Sequence, residues 1–120
     1  MASKKIVAVV DDDVAIREAM DDLLRSLGYE CRAFPSAEEF LSHDTTNVDC
    51  ILLDVNMTGI SGLELQRQLN SSGRQTPVIF LSSYNDERTV AAAMANGAQA
   101  FLSKPVEFDS LMTQLETALH

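Results

Sequence analysis

The feature that most constrains the fold is a regular alternation of short apolar runs with segments of helical periodicity. The five apolar runs, in chain order, are Ile6–Val10, Tyr29–Phe34, Cys50–Leu53, Val78–Leu81 and Ala100–Leu102. Continuous β-branched and aliphatic runs of this length are typical of strands that are buried on both faces. The run at residues 29–34 instead alternates and carries Glu30 and Arg32, which favours an edge strand.

Helical patterns fill the gaps between these runs and follow the last one. Apolar positions recur at helical spacing at Ile16, Met20, Leu23 and Leu27, at Leu65 and Leu69, and at Phe108, Leu111, Met112, Leu115 and Leu119. A capping box at Ser36–Glu39 opens a short helix through about residue 41, and Asn85 or Asp86 caps an alanine-rich helix that ends near Gly97. Strands that alternate with helices pair in parallel and are covered on both faces. The sequence therefore predicts an α/β protein with a doubly wound, five-stranded parallel sheet.

Length and composition limit the possible functions. A chain of 120 residues fits one domain, so we expect residues 1–120 to form a single unit. The net charge of −9 argues against direct binding of nucleic acid or anionic lipid, and no apolar run approaches a membrane span. The first residues show no signal-peptide pattern, and two cysteines are too few for a disulfide framework. These features predict a cytoplasmic protein.

Side chains that can bind ligands or take part in a reaction follow four of the five predicted strands. Asp11, Asp12 and Asp13 follow the first strand, Asp54 the third, Ser82 and Ser83 the fourth, and Lys104 the fifth. Doubly wound sheets bind ligands at the carboxyl ends of their strands. If the first and third strands are neighbours, two of their carboxylates about 5 Å apart would repel each other by about 3 kcal/mol at an effective dielectric constant of about 20. A hard divalent cation offsets this repulsion, and carboxylate oxygens suit Mg²⁺.

Several motifs resemble one known family when they are read together in chain order. They are Val10-Asp11-Asp12, Leu53-Asp54-Val55-Asn56-Met57, Gly62, Ser82, Phe101 and Lys104-Pro105. From about Lys5 to Leu119 the chain is similar to the receiver domain of bacterial two-component response regulators. The stretches Gly62-Leu63-Glu64-Leu65-Gln66 and Pro77-Val78-Ile79-Phe80-Leu81 most resemble receivers fused to helix-turn-helix output domains, the FixJ type. The resemblance implies a flavodoxin-like fold with strand order 2-1-3-4-5.

The resemblance also implies the chemistry of the site. Asp54 would accept a phosphoryl group from the phosphohistidine of a sensor histidine kinase. Asp11, Asp12, Asp54 and the backbone carbonyl of Asn56 would hold Mg²⁺. The chain would then be a signalling domain rather than an enzyme, although it takes part in its own phosphorylation and dephosphorylation.

Further positions of the family pattern concern the switch. Ser82 and Lys104 would bind phosphoryl oxygens, and Phe101 would turn inward when Ser82 moves. The resulting change would affect the face formed by the fourth helix, the fifth strand and the last helix, and through it an output domain or partner, such as a transcription regulator. We expect homodimerisation to be one result of this change. Asn56 and Tyr84, each two positions after a site residue, would tune the lifetime of the phosphoryl group.

Two other functional classes share parts of this pattern. Asp54-Val55-Asn56-Met57-Thr58 resembles the nucleophile loop of haloacid-dehalogenase-type phosphatases, but Asn56 stands where those enzymes have a second aspartate. A flavodoxin-like electron carrier would share the topology, but the three acids after the first strand would repel a flavin phosphate. Phosphatase turnover or a coloured purified protein would favour these alternatives.

The two cysteines and two histidines have simpler interpretations. With the strand order that the resemblance implies, Cys31 and Cys50 lie on strands separated by a third, which is too far for a disulfide. We expect both to be small apolar side chains of the interior. His43 and His120 are not near the acidic clusters that follow the strands and are expected at the surface.

Overall fold

Five strands and five helices alternate along the chain in the predicted order. The computed structural model describes residues 4–120. Its elements are β1 (Ile6–Val10), α1 (Val14–Ser26), β2 (Glu30–Phe34), α2 (Ala37–Ser42), β3 (Cys50–Leu53), α3 (Gly62–Ser71), β4 (Val78–Ser82), α4 (Glu87–Ala95), β5 (Ala100–Ser103) and α5 (Phe108–Leu119). The predicted strands and helices are all present, and the strand bounds differ from the predictions by no more than one residue at either end.

The strands form one parallel sheet in the order β2-β1-β3-β4-β5, which confirms the order that the resemblance implies. Strand β2, with its exposed Glu30, is an edge strand as predicted. The order reverses between β1 and β3, where Val10 and Leu53 are register partners. This register places the residues that follow β1 and β3 side by side at the carboxyl edge of the sheet.

The sheet separates two hydrophobic core clusters, because alternate strand residues point to opposite faces. The α2–α4 core cluster includes Ala37, Phe40, Leu65, Leu69, Ala93 and Ala98 with the strand residues Ala8, Val10, Ile51 and Leu53. The α1–α5 core cluster includes Leu24, Leu111, Leu115 and Leu119 with Val7, Val9, Leu52, Ile79 and Leu81. Both faces are therefore covered, and the doubly wound arrangement is confirmed.

Two positions of the helix faces differ from the sequence prediction. Leu24, which the predicted face of α1 did not include, is the fully buried residue of that helix. Phe108 was predicted within the apolar face of α5, but this prediction is wrong because its side chain is 53% exposed. Phe108 is the first residue of α5 and belongs to neither core cluster, whereas Leu111, Leu115 and Leu119 hold the helix against the sheet.

Side-chain caps begin four of the helices. The capping acceptors are Asp13 for α1, Ser36 for α2, Ser61 for α3 and Asp86 for α4. Of the two predicted caps of the fourth helix, Asp86 rather than Asn85 accepts the hydrogen bond, from Thr89 N. An oxygen acceptor at this position satisfies a backbone N–H that the helix itself leaves unpaired.

The buried Cys50 and the two histidines lie where the sequence predicts, whereas Cys31, on the edge strand β2, is only half-buried. Cys31 and Cys50 are free thiols on β2 and β3, and β1 lies between these strands. His43 and His120 are exposed. Within residues 4–120, no helix has the length and apolar character that crossing a membrane requires.

Candidate functional site

Three carboxylates meet at the carboxyl edge of the sheet. One carboxylate oxygen from each of Asp11, Asp12 and Asp54 lies within 4.8 Å of the others, and we call this group the carboxylate cluster. The position follows from the register of β1 and β3, since the Asp54 amide donates to the carbonyl of Val10 over 3.0 Å. Asp11 and Asp54 are buried, with exposed fractions of 2% and 8%, and Asp12 is exposed.

Lys104, which follows the edge strand β5, brings a positive charge to the carboxylate cluster. Its Nζ lies 2.8 Å from Asp11 Oδ2 and 3.5 Å from Asp54 Oδ2. The lysine follows β5, its amide donates to the carbonyl of Ser82 over 3.1 Å, and the peptide bond to Pro105 is cis. One ammonium faces three carboxylates, so two negative charges remain without a counter-ion among the described residues.

Burial and charge shift the pKa values of this pair. Burial raises the pKa of the Asp11 carboxyl, and the hydrogen bonds from Lys104 and from the Asp13 amide offset only part of this effect. For Lys104, partial burial lowers the pKa, but the hydrogen bond to Asp11 and the charges of Asp11 and Asp54 outweigh it, so the pKa is raised. The lysine is therefore a cation at neutral pH, and its contact with Asp11 offsets only part of the cost of burying the charged form of that carboxylate.

Two side chains hold the backbone where β1 leads into α1. Arg17 of α1 donates from Nη1 to the carbonyl oxygen of Asp11 over 2.8 Å. The Asp13 carboxylate accepts from the Ala15 amide over 2.9 Å and serves as the cap of α1. The third acid of the Asp11-Asp12-Asp13 run therefore has a structural role. Sequence reasoning did not identify Arg17, since no pattern distinguishes it from a surface arginine.

The loop between β3 and α3, residues 54–61, folds back on the end of β3. The Gly62 amide donates to the carbonyl of Val55 over 2.8 Å. A Cβ atom at Gly62 would collide with the backbone carbonyl of Asp54, so glycine is required for this close approach. Asn56 is exposed in this loop, and the sequence already identified Gly62 as part of a motif.

Ser82 ends β4 and is buried, and its Oγ accepts a hydrogen bond from the Tyr84 amide over 3.0 Å. Phe101 of β5 is half-buried and stacks on Phe80, with ring centroids 5.6 Å apart. Tyr84 is 55% exposed. The structure thus joins the carboxylate cluster and Lys104 in direct contact, and places Ser82 beside Lys104 through its backbone.

A hollow of about 360 Å³ lies on the β5–α5 side of the molecule. Its lining residues are Phe101, Leu102, Ser103, Pro105, Glu107 and Ser110. We call it the β5–α5 hollow. Two of its lining residues, Ser103 and Pro105, directly precede and follow Lys104 in the chain.

A family model described as the response regulator receiver domain matches residues 7–116. The chain belongs to the response regulator receiver domain family. As a receiver domain of two-component systems it is a signalling protein. The comparisons support neither the phosphatase nor the electron-carrier alternative.

Curated relatives of this receiver domain are named as regulators of transcription. The transcriptional regulatory protein TdiR of Thauera aromatica is 40% identical over 114 residues, which are 94% of this chain and 50% of that protein. The transcriptional regulatory protein FixJ of Bradyrhizobium diazoefficiens is 32% identical over 120 residues, 99% of this chain and 58% of that protein. The chain therefore spans about half the length of the curated relatives it matches.

Solved structures confirm the fold. The response regulator StyR superposes with a TM-score of 0.89 at 40% identity, covering 98% of this chain and 60% of that one. A response regulator receiver protein from Pseudomonas putida gives a TM-score of 0.90 at 30% identity, covering 98% and 99% of the two chains.

Proposed function

We propose that this receiver domain accepts a phosphoryl group on Asp54, in a Mg²⁺-dependent reaction, from the phosphohistidine of a sensor histidine kinase. The observation that carries the proposal is the surroundings of the Asp54 carboxylate. It is buried, belongs to the three-membered carboxylate cluster, and lies 3.5 Å from the Lys104 ammonium. A carboxylate in such a place is poised beside positive charge that can bind the oxygens of an incoming phosphoryl group.

The transfer needs an activated donor because a carboxylate is a weak nucleophile. An Asp54 oxygen forms the new bond to phosphorus as the phosphorus–nitrogen bond of the phosphohistidine breaks. The electron pair of that bond stays on the imidazole nitrogen, and the product is an aspartyl phosphate. Lys104 and the Ser82 hydroxyl offset negative charge on the transferred phosphoryl oxygens.

The donor set fits magnesium. Asp11, Asp12 and Asp54, with the backbone carbonyl of Asn56, offer only oxygen atoms, and the carboxylate cluster carries more negative charge than Lys104 neutralises. Oxygen-only sets with carboxylates are the ones that Mg²⁺ prefers. When bound, the ion supplies positive charge at the phosphoryl oxygens.

We further propose that phosphorylation controls an output domain or partner, in a cytoplasmic response regulator that governs transcription. The names of the relatives support this role, and the net charge of −9 argues against nucleic-acid binding by this chain itself. Ser82 and Phe101 form the switch, and homodimerisation through the α4–β5–α5 face is one result of switching. Asn56 and Tyr84, whose side chains are exposed near the site, set the lifetime of the aspartyl phosphate.

The test is phosphorylation with acetyl phosphate and Mg²⁺, followed by intact mass measurement. The wild-type chain should gain one phosphoryl group, and Asp54→Asn should gain none. Asp22→Asn, which removes an exposed carboxylate from α1, is the matched control and should label like the wild type. Full labelling of Asp54→Asn, or labelling that persists after Mg²⁺ is chelated, would contradict the proposal.

A further inference from the structure

The loop at residues 54–61 is held by two carboxylates that come from other parts of the chain. Asp12 Oδ2 accepts from the Thr58 amide over 3.3 Å, and Glu38 Oε2 accepts from the Ile60 amide over 3.1 Å. The side chains of Val55 and Met57 are buried in the α2–α4 core cluster. Asn56, whose carbonyl is a proposed Mg²⁺ ligand, therefore lies in a segment with anchors on both sides.

Gly59 lets Glu38 approach the loop. Its φ of +85° is a conformation that other residues rarely adopt. A Cβ atom at this position would collide with the Glu38 carboxylate, so the carboxylate lies directly against the Gly59 backbone. The hydrogen bond from Ile60 and the close approach to Gly59 both involve the Glu38 Oε2 atom, which therefore lies against this loop at two consecutive residues.

The two anchors differ in what else they do. Asp12 belongs to the carboxylate cluster, so its oxygens serve both the loop and the proposed metal. Glu38 lies in the first turn of α2 and is outside that cluster. Its hydrogen bond to Ile60 therefore remains available when Asp12 is engaged by a cation.

We infer that Glu38 is a positioning residue for the phosphorylation site: it holds the 54–61 loop so that the Asn56 carbonyl stays in place for Mg²⁺. The inference rests on the proposed function for the role of the metal. The anchoring of the loop itself rests on the Glu38–Ile60 hydrogen bond and on Gly59. Residues that orient metal ligands from outside the ligand set commonly affect metal affinity strongly.

The test compares three variants. Glu38→Ala removes the acceptor, Glu38→Gln keeps a carbonyl acceptor without the charge, and Glu39→Ala removes an equal charge one residue away. Glu39 is the matched control because it is exposed and its carboxylate has no hydrogen bond within residues 4–120. Mg²⁺ affinity is measured by titration of amide chemical shifts, and loop order by amide hydrogen exchange at Ile60.

Glu38→Ala should weaken Mg²⁺ binding about three- to tenfold and speed exchange at Ile60 by a similar factor, as expected for loss of one charge-assisted hydrogen bond. Glu38→Gln and Glu39→Ala should stay within about twofold of the wild type, since a neutral acceptor preserves the bond and the control never formed it. Equal affinities and equal Ile60 exchange in Glu38→Ala and Glu39→Ala would overturn the inference. So would equal losses in Glu38→Ala and Glu38→Gln, which would assign the effect to charge alone.

The two proposals can fail separately. If the wild type takes no phosphoryl group from acetyl phosphate, the proposed function fails, while the exchange rate at Ile60 still decides whether Glu38 anchors the loop. If the wild type labels on Asp54 but Glu38→Ala leaves both Ile60 exchange and Mg²⁺ affinity unchanged, the proposed function stands and the role of Glu38 is rejected.

Discussion

Asp12 differs from the other members of the carboxylate cluster in its exposure to water. Asp11 and Asp54 are buried and contact Lys104, whereas Asp12 is exposed and accepts a hydrogen bond from the Thr58 amide. Its repulsion of the other two carboxylates is therefore screened, and it can be neutralised without leaving a buried partner unpaired. A substitution at Asp12 therefore changes the charge of the carboxylate cluster without disturbing the packing of its buried members.

Asp12→Asn should raise the melting temperature in the absence of Mg²⁺ and reduce the further rise that Mg²⁺ produces. Removal of one exposed like charge contributes up to about 1 kcal/mol. For a domain of this size that corresponds to an increase of roughly 2–6 °C. The asparagine carbonyl can still accept from Thr58, so the loop contact is kept. Thermal melts with and without MgCl₂ measure both effects.

Asp22→Asn, on the exposed surface of α1, serves as the control and should keep the wild-type response to Mg²⁺. A ligand that binds only the folded state stabilises it in proportion to its occupancy. An Asp12→Asn variant that responds to Mg²⁺ as strongly as the control would show that the cation does not use this carboxylate.

The residues of the site divide into those that the sequence could predict and those that it could not. Asp11, Asp54 and Lys104 directly follow parallel strands. The rule that ligands bind at this edge, together with the strand order that the resemblance implies, placed them together. Arg17 and Glu38 reach the site from helices, at distances that depend on how each helix packs. No sequence pattern encodes such a contact, so these two were found only in the structure.

At the scale of elements, α4 is attached to its neighbours mainly by small side chains and polar contacts. Its buried residues are Thr89 and Ala93. From α3, Gln66 Nε2 donates to the Ala93 carbonyl over 2.9 Å, and Asn70 Nδ2 donates to the Asn96 carbonyl over 2.8 Å. The Gln66 Oε1 atom is buried without a hydrogen-bond partner among the described residues. With little apolar burial, α4 is expected to move at low energetic cost.

Beryllofluoride with Mg²⁺, which mimics the phosphoryl group, should alter amide exchange and chemical shifts in α4, β5 and α5. The fluorine atoms, in the places of the phosphoryl oxygens, would draw the Ser82 hydroxyl away from the Tyr84 amide, and Phe101 would then fill the space that Ser82 leaves. The change should extend to the β5–α5 hollow and promote docking or homodimerisation, which sedimentation measures. Asp54→Asn should show none of these changes.

Exchange effects confined to the loops around Asp54, with residues 86–119 unchanged, would contradict this description of the switch.

The alanine-rich composition of α4 already predicted a weakly anchored helix. The two side chains of α3 that hold it, Gln66 and Asn70, were not predicted. In the sequence nothing distinguishes them from polar residues on the surface of a helix.

At the scale of the whole molecule, four groups that titrate at alkaline pH bind their protons more tightly in the folded chain than their ordinary pKa values predict. Burial raises the pKa of the Cys31 and Cys50 thiols to about 12. Burial and the charge of Glu116 raise the pKa of Tyr29. The pKa of Lys104 is raised by its contacts with Asp11 and Asp54, which outweigh its partial burial.

The free energy of unfolding should therefore fall as the pH rises above about 9. The ordinary pKa of a cysteine is 9.0 here, so between pH 9 and about pH 12 the folded state retains thiol protons that the unfolded state has lost. The free energy of unfolding decreases with rising pH wherever the folded state binds more protons than the unfolded state. Urea unfolding at a series of pH values from 8 to about 11 measures this slope.

The double variant Cys31→Ala, Cys50→Ala isolates the thiol contribution. Loss of packing lowers its stability at every pH, but the dependence on pH above 9 should become shallower, since only Tyr29, Lys104 and general charge repulsion remain. Identical slopes in the variant and the wild type would mean that the thiols do not retain their protons in the folded state.

The order and type of the ten elements could be predicted because apolar runs and helical spacing are local signals. The order of the strands in the sheet came from the resemblance to receiver domains, because it depends on contacts between distant segments. Phe108 shows a limit of helical spacing, which assigns a residue to a face but does not indicate where along the helix the sheet ends.

The separation of the two core clusters by the sheet affects how such a chain can diverge in evolution. Helix α4 packs in one cluster and α5 in the other, so substitutions in one layer meet the other only through the strands. A duplicated gene can therefore accumulate core substitutions around α5 while the packing around α4 is inherited intact. The two packed layers of the same small protein can then change at different rates, although α4 and α5 both border the proposed output face.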